Sequence, residues 1–119
     1  MVIGLINKNK SIRFVPKNAE ILYEKYEKFK ISSFSWKDED IFGCGLIYPP
    51  NGINELPYIF FTQNGKQIGK AVLAEINSDF YQPYIRLICC SVETNFGNDL
   101  KNKPFIYDIK NHILLKDFY

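Results

Sequence analysis

The sequence predicts an α+β domain that is mostly antiparallel β, folded as a β-sandwich or a curved sheet, with one amphipathic helix near the N-terminus. Ten Phe and eight Tyr favour a sheet, because large flat side chains pack well across a pleated surface. Short apolar runs separated by turn residues occur at the spacing of an all-β domain. The 119 residues fit one domain, so we expect a single globular domain over residues 1–119.

The helix is predicted over residues 19–30. Asn18 precedes it and is suited to capping, because its side chain can accept a hydrogen bond from a free backbone N–H. Leu22, Tyr26 and Phe29 recur at the spacing that places residues on one helix face. An acidic stripe on the opposite face would comprise Glu20, Glu24 and Glu27.

The strands are predicted from alternating or continuous apolar runs bounded by turn residues. Asn64-Gly65 is a strong hairpin signal, because a type I′ turn needs positive φ at both central residues. Gly43 and Gly45 indicate a bulge or a close approach within one strand. The predicted strands are residues 2–6, 11–15, 31–36, 41–48, 56–63, 66–76, 83–94, 105–109 and 112–118.

The charge and the cysteine count indicate where the protein resides. The net charge of +2 does not by itself indicate a nucleic-acid partner. The odd set of Cys44, Cys89 and Cys90 is typical of a reducing compartment. The apolar start at residues 1–6 is too short for a signal peptide, and no apolar stretch approaches the roughly 20 residues of a membrane helix. We therefore expect a cytoplasmic protein with no membrane partner.

Catalytic and metal-binding motifs are absent from the sequence. His112 is the only histidine, so a Cys–His pair or dispersed carboxylates are the remaining routes to catalysis. The sequence has no G-x-S-x-G, no zinc spacing, no EF-hand loop and no phosphate-binding glycine motif. We expect a protein that is not an enzyme and that has no catalytic residue, metal site or cofactor.

Two surfaces are candidates for binding a partner. The first is acidic and consists of Trp36 beside Asp38, Glu39 and Asp40. Tryptophan is enriched in interface hot spots, and the neighbouring carboxylates could contact a basic protein. The stripe of Glu20, Glu24 and Glu27 would extend it. The competing interpretation places Trp36 in the core and leaves the stripe as an ordinary solvated helix face.

The second surface is basic and would suit a nucleic acid. Phe14 lies among four cations, an arrangement that could hold a phosphate backbone and stack a base. The alternative is a charged hairpin that keeps an edge strand soluble. The four cations are Lys8, Lys10, Arg13 and Lys17.

The chain resembles the immunity proteins of bacterial contact-dependent inhibition and related polymorphic toxin systems. The resemblance lies in its size, its β-rich composition, its many residues with A+T-rich codons, and the absence of an export signal or catalytic motif. The resemblance implies a protein that binds a cognate toxin domain, often a nuclease, and covers its active site or an adjacent surface. Many such proteins are acidic, and the charge of +2 departs from that pattern. The alternative function is a small β-rich nucleic-acid-binding module. The oligomeric state stays open.

Overall fold

The computed structural model describes residues 1–8, 10–24, 27–49, 56–74, 81–88 and 90–119, and it arranges them as two antiparallel sheets. The mostly antiparallel β-structure predicted from the sequence is confirmed. The strands are β1 (Val2–Asn7), β2 (Lys10–Val15), β3 (Glu20–Tyr23), β4 (Glu27–Lys30), β5 (Phe42–Ile47), β6 (Tyr58–Gln63), β7 (Lys66–Leu73) and β8 (Gln82–Arg86). Two 3-10 helices cover Pro16–Asn18 and Ile109–Asn111.

The first sheet has five strands in the order β4-β3-β2-β1-β8. Alternation along the strands places one set of side chains on an inner face and the next on an outer face. Ile12, Phe14 and Ile21 point inward and are almost fully buried. The outer face carries Arg13 between Gly4 of β1 and Leu22 of β3.

The second sheet has three strands in the order β5-β6-β7. Asn64 and Gly65 join β6 to β7 with φ angles of 51° and 83°, so the predicted hairpin with two positive φ values is confirmed. A Cβ added at Gly45 would collide with the Phe60 ring, so the predicted close approach in this strand is also present.

The main core lies between the two sheets. Phe14 of the first sheet packs against Phe61 of the second, with ring centroids 5.7 Å apart. The side chains of β6 are buried on both faces, because Tyr58 and Phe60 point away from this core into a second apolar cluster. Residues of the C-terminal segment cover that second cluster: Tyr107, Leu115 and Phe118.

The predicted N-terminal amphipathic helix is wrong, because Glu20–Tyr23 and Glu27–Lys30 form the antiparallel pair β3–β4. Tyr26, predicted on the same helix face as Leu22, lies outside the described residues. Ile21 and Phe29 lie opposite each other on the inner face, while Leu22 lies on the outer face. The apolar residues of this segment therefore fit the strand period of two as well as the helical period of 3.6. The burial of Ile21 under the second sheet selects the strand. Asn18 ends a 3-10 turn, after which Ala19 takes a φ of 52°.

Several predicted strands differ from the structure. Residues 31–36 form no strand, and of the described residues between 83 and 94 only those up to Arg86 belong to one. The predicted hairpin of residues 105–118 is a 3-10 turn followed by irregular chain with one isolated bridge, between Ala71 and Phe118. Within the described ranges, no helix has the length and apolar character needed to cross a membrane.

Candidate functional site

Trp36 lies at the surface. Its side chain is 46% exposed and touches the molecule chiefly through an edge contact with Phe42, at a centroid distance of 6.4 Å. Phe42 is half-buried against the main core, so the indole has a firm support on one side and solvent on the other. The structure thus rejects the interpretation in which Trp36 belongs to the core.

The residues after Trp36 form a turn that Asp40 closes. The backbone N–H of Lys37 donates to Oδ2 of Asp40 at 2.9 Å, and the Lys37 carbonyl accepts from the Asp40 N–H at 3.2 Å. Asp38 and Glu39 occupy the tip and are exposed, and Glu39 has a φ of 75°. The turn therefore presents two adjacent carboxylates to solvent.

The turn is fastened to the hairpin that joins β6 and β7. Asn64 Nδ2 donates to Oδ1 of Asp40 at 3.0 Å, and Gln63 Nε2 donates to Oδ2 at 2.9 Å. Hydrogen bonds from Asn64, from the Lys37 N–H and from Gln63 lower the pKa of Asp40 below its usual value. Asp40 thus anchors the turn, and its two oxygens are already occupied within the chain.

Two further contacts hold the segment around Trp36 in place. Gln63 Nε2 also donates to the Ser35 carbonyl at 3.0 Å, and the N–H of Ile41 donates to Asn64 Oδ1 at 2.9 Å. Gln63 and Asn64 thus support both sides of the turn. From the sequence Asn64 is recognisable only as a turn residue, and the Asp-Glu-Asp run offers no local signal of this second role.

The three glutamates predicted as a stripe do not form one. Glu20 lies on the outer face of β3 opposite Lys30, whereas Glu27 lies opposite Tyr23 at the other end of the hairpin. Glu24 follows β3 with a φ of 58°. Since the helix is absent, neither the stripe nor its continuity with Trp36 is present in the structure.

The other side of Trp36 borders a shallow groove that carries cations. Lys17 and Lys30 contribute the charges, and Lys30 Nζ donates to the Asn18 carbonyl at 3.0 Å. Trp36 thus lies between this groove and the acidic turn. The groove is lined by residues 16–19 and 30–36.

The basic surface predicted around Phe14 does not assemble. Phe14 is fully buried in the main core and cannot stack on a base. Arg13 lies on the outer face of the sheet, while Lys8 lies in the turn after β1 and Lys17 in the 3-10 helix. The four cations therefore share no single face with an exposed aromatic ring.

The described cysteines do not form a Cys–His pair, the alternative left open from the sequence. Cys44 lies opposite Phe61 on the core-facing side of the second sheet, whereas His112 packs on Phe60, on the other side of the same sheet. Cys44 is exposed as a residue at a strand edge, but its sulfur faces the core, where burial raises the pKa of the thiol to about 12. Cys90 is exposed and makes no hydrogen bond to His112, and Cys89 lies outside the described residues.

His112 is held between two tyrosine hydroxyls. Its Nε2 lies 2.6 Å from the Tyr58 hydroxyl and its Nδ1 contacts the Tyr107 hydroxyl. The Tyr58 hydroxyl accepts the N–H of Leu115 at 3.1 Å, so it can donate its own hydrogen to Nε2 of a neutral ring. Desolvation lowers the pKa of His112 and raises that of Tyr107, which Tyr58 and Asp108 raise further. This cluster fastens the C-terminal segment to β6.

Among the residues that the structure describes, no group of three or more His, Cys, Asp or Glu is placed to hold a metal ion. Asp40 makes its hydrogen bonds within the chain, and Asp38 and Glu39 are exposed. No family model, no curated protein and no solved structure matches the chain.

Proposed function

We propose that the chain is a non-catalytic immunity-type protein that binds a cognate bacterial toxin domain in the cytoplasm and neutralises it by covering the active site or an adjacent surface. The observation that supports this most directly is the half-exposed Trp36 beside the acidic turn. An exposed Trp on a firm support, next to unpaired carboxylates, has the composition of an interface hot spot.

The anchoring of the turn strengthens the proposal. A partner that binds a preformed surface avoids the free-energy cost of ordering it, which is about 0.5–1.5 kcal/mol for each immobilised side chain. Asp40, Gln63 and Asn64 already hold the turn through hydrogen bonds. Asp38 and Glu39 keep their charges available, so they can attract a basic surface and favour one orientation of the partner.

Exposed apolar side chains also fit a protein that is covered by a partner. The chain from Leu87 onward has several large apolar residues at the surface, including Phe96 at 56% and Ile113 at 82% exposure. Where such side chains form one contiguous patch, the patch is typical of a protein–protein interface, whereas side chains scattered singly are normal on a monomer.

The experiment is a neutralisation assay with the toxin domain encoded beside this gene. Cells that express the toxin domain alone should stop growing, and co-expression of this chain should restore growth and yield a stable complex on purification. The proposal is wrong if the purified toxin domain stays fully active in the presence of excess chain.

A further inference from the structure

The two sheets have four outer edges, and three of them carry protection against pairing with another chain. A free strand edge presents unpaired N–H and C=O groups, and proteins block such edges with charges, proline, short strands or a covering segment. β4 is only four residues long and three of them are charged: Glu27, Lys28 and Lys30. β8 contains Pro83, which has no N–H, and ends at Arg86.

The edge at β7 is blocked in two ways. Gly69 has a φ of 62°, and the pairing with β6 shifts register between Ile59 and Phe61. The end of the chain then covers part of the strand, because the Tyr119 N–H donates to the Ala71 carbonyl at 3.0 Å beside the Ala71–Phe118 bridge. A further strand could not pair along this edge without displacing the C-terminus.

Within the described ranges, β5 has none of these devices. Its sequence, Phe-Gly-Cys-Gly-Leu-Ile, contains no charge and no proline, and it runs for six residues. The small residues Gly43, Cys44 and Gly45 lie at its centre, so no large side chain shields the backbone there. Cys44 is exposed. In the part of the chain that the structure describes, β5 pairs with β6 on one side and with no strand on the other.

The free backbone groups of β5 can be named from the hydrogen-bond pattern. The Asn64 N–H donates to the Ile41 carbonyl at 2.7 Å, so this facing pair is hydrogen-bonded. Hydrogen-bonded and non-bonded pairs alternate along an antiparallel ladder. The N–H and C=O groups that point outward therefore belong to Phe42, Cys44 and Leu46, and those that point to β6 belong to Gly43, Gly45 and Ile47.

The surroundings of this edge have a distinct chemistry. Ile41, 51% exposed, precedes the strand, and Tyr48, 57% exposed, follows it. Asp38 and Glu39, both exposed, lie four and three residues before Phe42, the first residue of the strand. An extended chain along β5 would thus find backbone donors and acceptors in the middle, apolar contacts at both ends and negative charge near the start.

We propose that the edge of β5 receives an extended basic segment of the partner, which adds a fourth strand to the three-stranded sheet. Backbone hydrogen bonds would give affinity, and the charges at the start of β5 would select lysine or arginine near one end of that segment. The inference rests on the proposed function only in naming the toxin domain as the partner.

Amide hydrogen exchange tests this edge directly. In the isolated chain, the amides of Phe42, Cys44 and Leu46 should exchange fast and those of Gly43, Gly45 and Ile47 slowly. Two probes are used: the toxin domain, and a seven-residue peptide of alternating Thr and Val flanked by Lys, with a Glu-flanked peptide as control. Protection of the three outward amides by about tenfold or more, by the toxin domain or by the Lys-flanked peptide, supports the proposal.

A matched pair of variants isolates the backbone contribution. C44P removes one outward N–H and leaves the bonds to β6 intact, while C44A changes the same side chain and keeps the N–H. C44P should bind the toxin domain about tenfold more weakly than C44A, since one lost hydrogen bond is worth roughly that factor. If C44P does not fold, the exchange experiment on the unaltered chain still decides.

The outcomes separate this inference from the proposed function. If the toxin domain is neutralised while the outward amides stay unprotected, the edge is the wrong surface and the function stands. If the toxin domain does not bind but the Lys-flanked peptide protects the edge, the function fails and the edge stands. The proposal is overturned if both peptides protect the edge equally, or if neither probe protects it. It is also overturned if the protection grows with the concentration of the isolated chain, because the occupant of the edge is then a second copy of the chain.

Discussion

Asp40 shows how one side chain prepares a surface that it does not itself form. Its two oxygens accept hydrogen bonds from Lys37, Gln63 and Asn64, while its neighbours at the tip of the turn stay free. The sequence places Asp38, Glu39 and Asp40 together without distinguishing them. Only the fold assigns Asp40 to anchoring and the other two to the surface, because Gln63 and Asn64, which fasten Asp40 to the hairpin, are more than 20 positions away in the chain.

We expect D40A to lower the free energy of unfolding at pH 7, and we expect this effect to shrink as the pH falls through the lowered pKa of Asp40. The hydrogen bonds hold the pKa of Asp40 below its usual value, so the folded chain binds its proton less readily than the unfolded chain does. The stabilisation is therefore complete above about pH 5 and is lost as the pH falls through the lowered pKa. Urea unfolding at several pH values measures it.

D38A is the matched control, because Asp38 is an exposed carboxylate in the same turn and makes no hydrogen bond in the described part of the chain. It should leave the urea midpoint unchanged at every pH. Equal loss of stability in D38A and D40A would contradict the anchoring role.

His112 is the second residue whose role depends on contacts distant in sequence. We expect the free energy of unfolding to be constant between about pH 7 and pH 8 and to fall below about pH 6.5, because burial lowers the pKa of the folded imidazole below its usual value. The unfolded chain then takes up a proton that the folded chain does not, until the pH passes below the lowered pKa. Urea unfolding between pH 5 and 8 measures the slope.

H112Q is the control for this slope, since its amide can still reach a hydroxyl but does not titrate in this range. The variant should have the same stability at pH 6 and pH 8 as far as this site is concerned. If the slope of the unaltered chain persists in H112Q, another group is responsible.

At the scale of elements, the sequence predicts those whose signal is local. Asn64-Gly65 specifies its hairpin through φ angles that few other residue pairs adopt, and the structure has that hairpin. The segment of residues 19–30 is different, because Leu22 and Phe29 fit a helix while Ile21 and Phe29 fit a strand pair. Packing under the second sheet selects the strand pair, and no single-sequence pattern carries that information.

The two interpretations of this segment differ in which residue is buried. We expect I21A to lower the free energy of unfolding by about 2–5 kcal/mol, the range for removing a fully buried aliphatic side chain. L22A should cost clearly less, because Leu22 is half-exposed on the outer face. Chemical denaturation of the two variants measures the difference. A larger loss of unfolding free energy in L22A than in I21A would support the helix and contradict the strand pair.

The C-terminal third shows where local patterns fail altogether. Its apolar runs at residues 105–109 and 112–118 predict a hairpin, but the described chain there is mostly irregular. The two runs do not pair with each other as strands. Instead, the side chain of His112 is hydrogen-bonded to Tyr107 and to Tyr58 of β6. The order of this segment comes from side-chain contacts with a strand more than 50 residues away, which a search for periodicity does not detect.

At the scale of the whole molecule, the candidate surface combines the exposed charges of Asp38 and Glu39 with the exposed aromatic ring of Trp36. We expect D38A/E39A to slow association with the toxin domain and to weaken its dependence on salt, because exposed charges act mainly on the encounter. Stopped-flow association at low and high ionic strength measures this. An unchanged association rate at low salt would place the interface elsewhere.

The central claim is that Trp36 is an exposed contact for a partner, and the dissociation rate of the toxin complex tests it most directly. W36A should dissociate about 30-fold faster, equivalent to about 2 kcal/mol for a hot spot, with a stability within about 0.5 kcal/mol of the unaltered chain. L73A is the control, since Leu73 is an apolar residue 37% exposed at the end of β7, away from Trp36 in the sequence. The account is contradicted if W36A dissociates at the unaltered rate, or if its affinity is lost only together with its fold.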